Sequence, residues 1–114
     1  MGNQRKEKGK EAELLVADYL VHQGYTIIAQ NYTIRGGEID IIVEKDCIRT
    51  FVEVKSVDRT EDLLDYITAH KKASLLRTIT RFNYEHPTSQ QISLDLVFVK
   101  QNTILHHYQN ITNN

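Results

Sequence analysis

The sequence predicts an α/β fold: a single domain built on a mixed β-sheet with flanking helices, in the order αβββαββ. Three observations carry this. An apolar stripe at helical spacing opens the chain. Three short alternating runs follow it, and two more close the chain. Between the two groups lies a polar–apolar segment long enough to cross the sheet. A chain of 114 residues is one domain's worth, and 40% hydrophobic residues suffice for one modest core.

The first helix is expected from about Arg5 to His22. Ala12, Leu15, Val16, Tyr19 and Leu20 recur at i, i+3, i+4, i+7 and i+8, which makes one buried stripe. Gly24 is placed to end it in the left-handed conformation. Strands are expected over Tyr25–Tyr32, over Glu38–Glu44 after the turn at Arg35-Gly36-Gly37, and over Ile48–Ser56. One helix is then expected from Leu63 to Tyr84, ended by Pro87 and its polar neighbours. The final strands, Ile92–Lys100 and Thr103–Tyr108, join through a tight turn at Gln101-Asn102 and lead to a polar tail, Thr112-Asn113-Asn114. The middle strands form a meander. The helix from Leu63 is long enough to be a crossover, so the strands flanking it run parallel.

Composition excludes several classes. With 14 Lys plus Arg against 15 Asp plus Glu, the formal net charge is -1, unlike a non-specific nucleic-acid coat protein. Contact with nucleic acid would require a local basic patch. Cys47 is the only cysteine, so no intrachain disulfide forms, which fits a cytoplasmic protein. No apolar run follows the charged start as a signal peptide needs, and nothing approaches a membrane span.

The chemistry lies in the second and third strands. A turn centred between Asp46 and Cys47 places Asp40 opposite Glu53, Ile42 opposite Phe51, Glu38 opposite Lys55 and Glu44 opposite Arg49, all on one face. Ile39, Ile41, Val43, Val52 and Val54 take the other face. Asp46-Cys47 lacks the Gly that two-residue hairpin turns favour, so a wider loop with the same centre serves equally, and a loop of odd length would move Glu53 off Asp40. In this register two carboxylates oppose each other, which is destabilising unless one is protonated or a cation lies between them. Mg²⁺ is commonly held by one or two carboxylates with water and phosphate oxygens. Lys55, two residues past Glu53, shares that face and is suited to stabilise charge on a phosphate or to orient an attacking water. The ordinary reading of Glu-Val-Lys in a strand is a solvated face with a charge pair worth about 0–1 kcal/mol. Ile42 and Phe51 on the same face weigh against it.

Gly37-Glu38-Ile39-Asp40 followed by Phe51-Val52-Glu53-Val54-Lys55 resembles the D…(D/E)-x-K signature of the restriction-endonuclease-like nucleases. Over nearly its whole length the chain is most similar to the YraN-like family of small bacterial proteins. The ordered matches are Glu13, Tyr19-Leu20, Gly24-Tyr25, Asn31, Arg35-Gly36-Gly37, Ile67-Thr68, Lys71, Asp95-Leu96-Val97 and Asn110. The resemblance implies a nuclease core with Asp40 and Glu53 as metal ligands and Lys55 as the catalytic lysine. Glu13 would be an additional acidic group reaching the metal through water; by helix spacing alone it borders the buried stripe, where a solvated or structural role serves as well. The chain departs from the family at Val57 and Ser93, where basic residues are expected.

Two basic groups remain: Arg5, Lys6, Lys8 and Lys10, which lead into the first helix, and Lys71, Lys72, Arg77 and Arg81 on the second. A solvated helix face is their commoner meaning, and phosphate contact is the functional one. Arg35, with Lys71 and Lys10, is the expected nucleic-acid contact. None of the five histidines has zinc-ligand spacing, and Cys47 has no nucleophile constellation around it. The expected function is an Mg²⁺- or Mn²⁺-dependent endonuclease acting on DNA and directed by strand structure, with a homodimer as one arrangement for reaching two strands. The alternative is a non-catalytic nucleic-acid-binding or assembly module on the same fold.

Overall fold

The computed structural model describes residues 2–58 and 63–113, with side chains described over 9–58 and 65–112. The side chains of Arg5, Lys6 and Lys8, and all of Asn114, lie outside the described residues. Helix α1 spans Gly2–His22 and is followed by strands β1 (Thr26–Ile34), β2 (Gly37–Lys45) and β3 (Ile48–Ser56). Helices α2 (Leu63–Tyr66) and α3 (Ala69–Glu85), strands β4 (Gln91–Lys100) and β5 (Thr103–Tyr108), and a 3-10 turn (Ile111–Asn113) complete the order.

The expected stripe of α1 is the face that packs: Ala12, Val16 and Leu20 are buried, with Leu15 and Tyr19 partly buried beside them. Its end is a Schellman motif. Tyr25 N donates to Leu20 O at 3.0 Å, Gly24 N donates to Val21 O at 3.0 Å, and Gly24 takes a φ of 94°.

The sheet order is β1-β2-β3-β4-β5. Only β3 and β4 pair in parallel, and the segment carrying α2 and α3 connects them. The β2–β3 turn has two residues, Asp46 and Cys47, with φ of 54° and 63°, and pairs Lys45 with Ile48. Gln101 and Asn102 repeat this geometry between β4 and β5 with φ of 48° and 59°. Both turns thus take positive φ at two central residues without glycine.

The central strands are buried on both faces. Ile41, Val43, Val52, Val97 and Val99 meet α1, whereas Ile42, Phe51 and Leu94 meet α3. Val57, Leu96 and Phe98 form a third cluster with Tyr66, Ile67, Tyr108 and Ile111. Ile111 is partly buried there and opens a 3-10 turn, Ile111–Asn113, that takes in the first two residues of the expected polar tail.

Two expectations need correction. The long helix from Leu63 is broken at Ile67-Thr68. Thr68 is extended (φ -85°, ψ 165°) and caps α3, its side chain accepting from Lys71 N at 3.1 Å. The hydroxyl thereby satisfies a free helical N–H, which favours a new helix start over continuation. Ile39 was expected with Ile41 and Val43, but it packs in the α3 cluster. The β2–β3 ladder ends at Ile41–Val52, and beyond that pair β2 no longer follows the strict alternation of the ladder.

Gly37 fixes how closely α3 approaches the start of β2. A Cβ there would lie 2.1 Å from Thr78 Oγ1 and 3.1 Å from Ser74 O. Thr78 is itself fully buried. Gly37→Ala should therefore destabilise the protein by about 1–3 kcal/mol through overpacking. Adding Thr78→Ala should recover part of the loss, as coupled neighbours do. Denaturant midpoints of the single and double variants check this; strictly additive losses would show that this contact does not set the packing.

Candidate active site

The β2–β3 ladder ends at Ile41–Val52, and Asp40 and Glu53 lie just past that end, close enough for the Glu53 charge to act on the Asp40 carboxyl. Asp40 Oδ2 accepts from the Val54 backbone N–H at 2.7 Å, so the side chain takes over a main-chain donor at the strand opening. Glu53 is 5% exposed. Its Oε2 accepts from Lys71 Nζ at 2.8 Å and from the Tyr66 hydroxyl at 3.3 Å. Its Oε1 is buried without a hydrogen-bond partner.

The electrostatics follow from this crowding. Burial, then the Glu53 charge and a hydrogen-bonding contact with it, push the Asp40 carboxyl up to about 8, against the Val54 N–H. Burial and Glu53 push the Tyr66 hydroxyl up to about 12, with Lys71 opposing. Burial disfavours the Lys71 charge, but the hydrogen bond and charge of Glu53, with Tyr66, outweigh it and raise its pKa.

Lys55 does not reach across to Glu38. Its Nζ lies 5.3 Å from the centroid of the Tyr66 ring, and Lys71 Nζ lies 5.7 Å from the same ring. Two ammonium groups therefore share one aromatic ring beside Glu53, within cation–π range. Asp40, Glu53, Lys55 and Lys71 thus converge. Tyr66 joins them and is the member the sequence did not mark, since an aromatic residue before a helix carries no distinguishing signal.

The other candidates lie farther out. Glu13 accepts from Asn31 Nδ2 at 2.6 Å. Burial and then the charges of Glu38 and Glu53 raise its pKa, while Lys10 lowers it. Glu13 therefore senses the site electrostatically. Lys10 and Arg35 are exposed. The turn carrying Arg35 is tied to α3, because Gly36 O accepts from Ser74 Oγ at 2.8 Å and from Arg77 Nη2 at 3.3 Å.

Among the described residues, no group of three or more His, Cys, Asp or Glu is arranged to hold a metal. A cation here would rely on two carboxylates completed by main-chain carbonyl, water or phosphate oxygens. The orphaned Glu53 Oε1 beside the partly buried Asp40 carboxylate fits such an ion, because a hard divalent cation satisfies the one and relieves the repulsion between both.

The opposite face of the sheet carries a separate polar network. Asp95 is 2% exposed and accepts from Ser93 Oγ, from Asn110 N at 3.0 Å and from His107 Nε2 at 2.8 Å. Tyr19 OH and His107 Nδ1 lie 2.9 Å apart. Every contact of Asp95 is therefore satisfied locally. The two departures from the family are also placed: Ser93 bonds Asp95, and Val57 is buried in the third cluster.

Fold and site together define an α/β protein with a carboxylate pair and two lysines at the end of a mixed sheet. Residues 12–99 match the Uncharacterised protein family UPF0102. Similar proteins include the UPF0102 protein of Campylobacter fetus subsp. fetus, 32% identical over 84% of this chain and 86% of its own length. Those of Methylococcus capsulatus and Carboxydothermus hydrogenoformans are 35% and 34% identical, covering 86% and 94% of this chain and 81% and 96% of their own lengths. The chain belongs to UPF0102, the YraN-like family. No helix among the described residues is long and apolar enough to cross a membrane.

Proposed function

We propose that this protein is an Mg²⁺- or Mn²⁺-dependent endonuclease that hydrolyses phosphodiester bonds in DNA, on a restriction-endonuclease-like core. The observation that carries the reading is the buried Glu53 with its orphaned oxygen beside partly buried Asp40, flanked by Lys55 and Lys71. Asp40, Glu53 and a main-chain carbonyl near Val54 would hold the ion. When bound, it supplies Lewis acidity toward the phosphate and lowers the pKa of water. Asp40 is held in place by the Val54 N–H. Lys55, aligned on the Tyr66 ring, neutralises charge gathering on the phosphate or orients the attacking water.

Few spare basic residues surround the site, so phosphate-backbone contacts position the substrate and its strand structure selects it. Exposed Arg35 and Lys10 are the flanking phosphate contacts in this reading. A dimer would present two such sites to a duplex. The single cysteine favours cytoplasmic residence.

Incubation of the protein with Mg²⁺ or Mn²⁺ and linear, single-stranded and branched DNAs, beside matched RNAs, tests the reading. The expected result is cleavage of a DNA substrate that stops with chelator. A folded protein that cuts none of them would contradict it. One observation favours a second reading, a non-catalytic binding module: Lys71 already neutralises part of the pair. In that case nucleic-acid binding would survive Asp40→Ala and would depend on the basic residues.

A further inference from the structure

The two oxygens of Glu53 are treated differently. Oε2 is held by Lys71 and Tyr66, while Oε1 has no partner. The two sides of the ion pair also differ in freedom: the Glu53 side chain is 7% exposed and that of Lys71 is 37% exposed. The carboxylate is locked in the sheet. The ammonium sits on a flexible stem at the start of α3, with its backbone fixed by the Thr68 cap. It can reach water by side-chain rotation alone.

We propose that Lys71 is the resident counter-ion of the cation seat. It neutralises Glu53 when no divalent ion is bound and is displaced when one binds. Its freed ammonium then contacts a phosphate of the nucleic-acid backbone. The inference rests on the metal-dependent reading above. An ion on either Glu53 oxygen would stand within a few ångströms of Lys71 Nζ, and like charges repel strongly in such poorly solvated surroundings. Only the ammonium is free to leave. The Tyr66 ring, already within cation–π range of both lysines, keeps the displaced group close to the site. Because one side chain serves the two ligands in turn, divalent ion and polyanion reinforce each other's binding by linkage.

Calorimetric titration with Mn²⁺, without nucleic acid, tests this on the wild type, Lys71→Met and Lys71→Arg. Lys71→Met should bind Mn²⁺ at least about fivefold more tightly than the wild type, and Lys71→Arg within about twofold of it. Equal or weaker binding by Lys71→Met would overturn the inference and leave the metal seat standing. Absence of Mn²⁺ binding by every folded protein would overturn the metal-dependent reading and this inference with it.

Lys71→Met leaves the Glu53 charge buried and unpaired, which can prevent folding. A wild-type measurement covers that case. Lysines are labelled with an amine-reactive ester with and without Mn²⁺, at a concentration the wild-type titration shows to be saturating, and read by mass spectrometry. Labelling of Lys71 should rise several-fold with Mn²⁺ while exposed Lys10 stays constant. Unchanged labelling of Lys71 would overturn the inference.

Discussion

Asp40→Asn should stabilise the metal-free protein at pH 8 while ending cleavage. Burial and the Glu53 charge hold the Asp40 carboxyl up at about 8, far above the 3.8 of a free aspartate. The folded state therefore binds a proton that the unfolded chain releases near pH 4. The stability this supplies is complete below that point and is lost as pH rises through about 8. Each pKa unit is worth about 1.4 kcal/mol, so a loss on the order of 3 kcal/mol between pH 5 and pH 8 is expected. Asparagine never ionises, and its carbonyl can still accept the Val54 N–H. Its amide can also donate to Glu53, replacing repulsion with a hydrogen bond. Melting curves in chelator at pH 5 and pH 8 should show a steep fall for the wild type and a shallow one for the variant. Equal slopes would mean that Asp40 does not titrate as the geometry requires. Cleavage should fall by at least about 10³-fold, because a neutral amide is a poor ligand for a hard cation.

The second large effect is expected at Lys55. Its ammonium lies on the Tyr66 ring and is not tied to Glu53 as Lys71 is. Its loss should cost little stability, within about 1 kcal/mol, as for other partly exposed charges. If it acts on the reacting phosphate, Lys55→Gln should lower the single-turnover rate at saturating DNA by about 10²–10³-fold. DNA affinity, measured with Ca²⁺ in place of Mg²⁺, should change by less than about tenfold. A variant that loses affinity and rate in equal measure would make Lys55 a binding residue only. Arginine should not restore the rate, since its planar fork replaces a compact charge at a crowded position.

Much of this arrangement was legible in the sequence. The alternation through Glu38–Glu44 and Arg49–Lys55, with a turn centred between Asp46 and Cys47, was enough to set Ile42 against Phe51; the ladder ends at Ile41–Val52, and Asp40 comes near Glu53 just past it. The same register put Glu44 opposite Arg49, and these two form a 2.9 Å ion pair. Buried Arg49 also donates to Asn83 Oδ1 and to His86 O at the end of α3. That part needs the tertiary fold, since no local pattern joins residues so far apart.

The misses have the same origin. Lys71 is expected from the sequence as a nucleic-acid contact, but its 2.8 Å ion pair with Glu53 is not, because its spacing within α3 says nothing of what lies opposite its first turn. Tyr66 became visible only when the break at Thr68 turned α2 onto the sheet. Asp95 was read as part of a family match, yet its role is a buried network that Ser93, His107 and Asn110 complete from three separate positions. Side-chain periodicity reports which face is buried. It does not report which polar groups two elements bring together.

The most direct test of the central claim, that Asp40 and Glu53 form a cation seat, is thermal melting at pH 8 with chelator or with Mn²⁺, for the wild type and Asp40→Asn. A ligand at one hundred times its dissociation constant stabilises the native state by about 2.7 kcal/mol, which moves the midpoint of a domain this size by several degrees. With such a seat, Mn²⁺ raises the wild-type midpoint by that amount and leaves the variant unmoved. No shift in the wild type, or the same shift in both proteins, would contradict it.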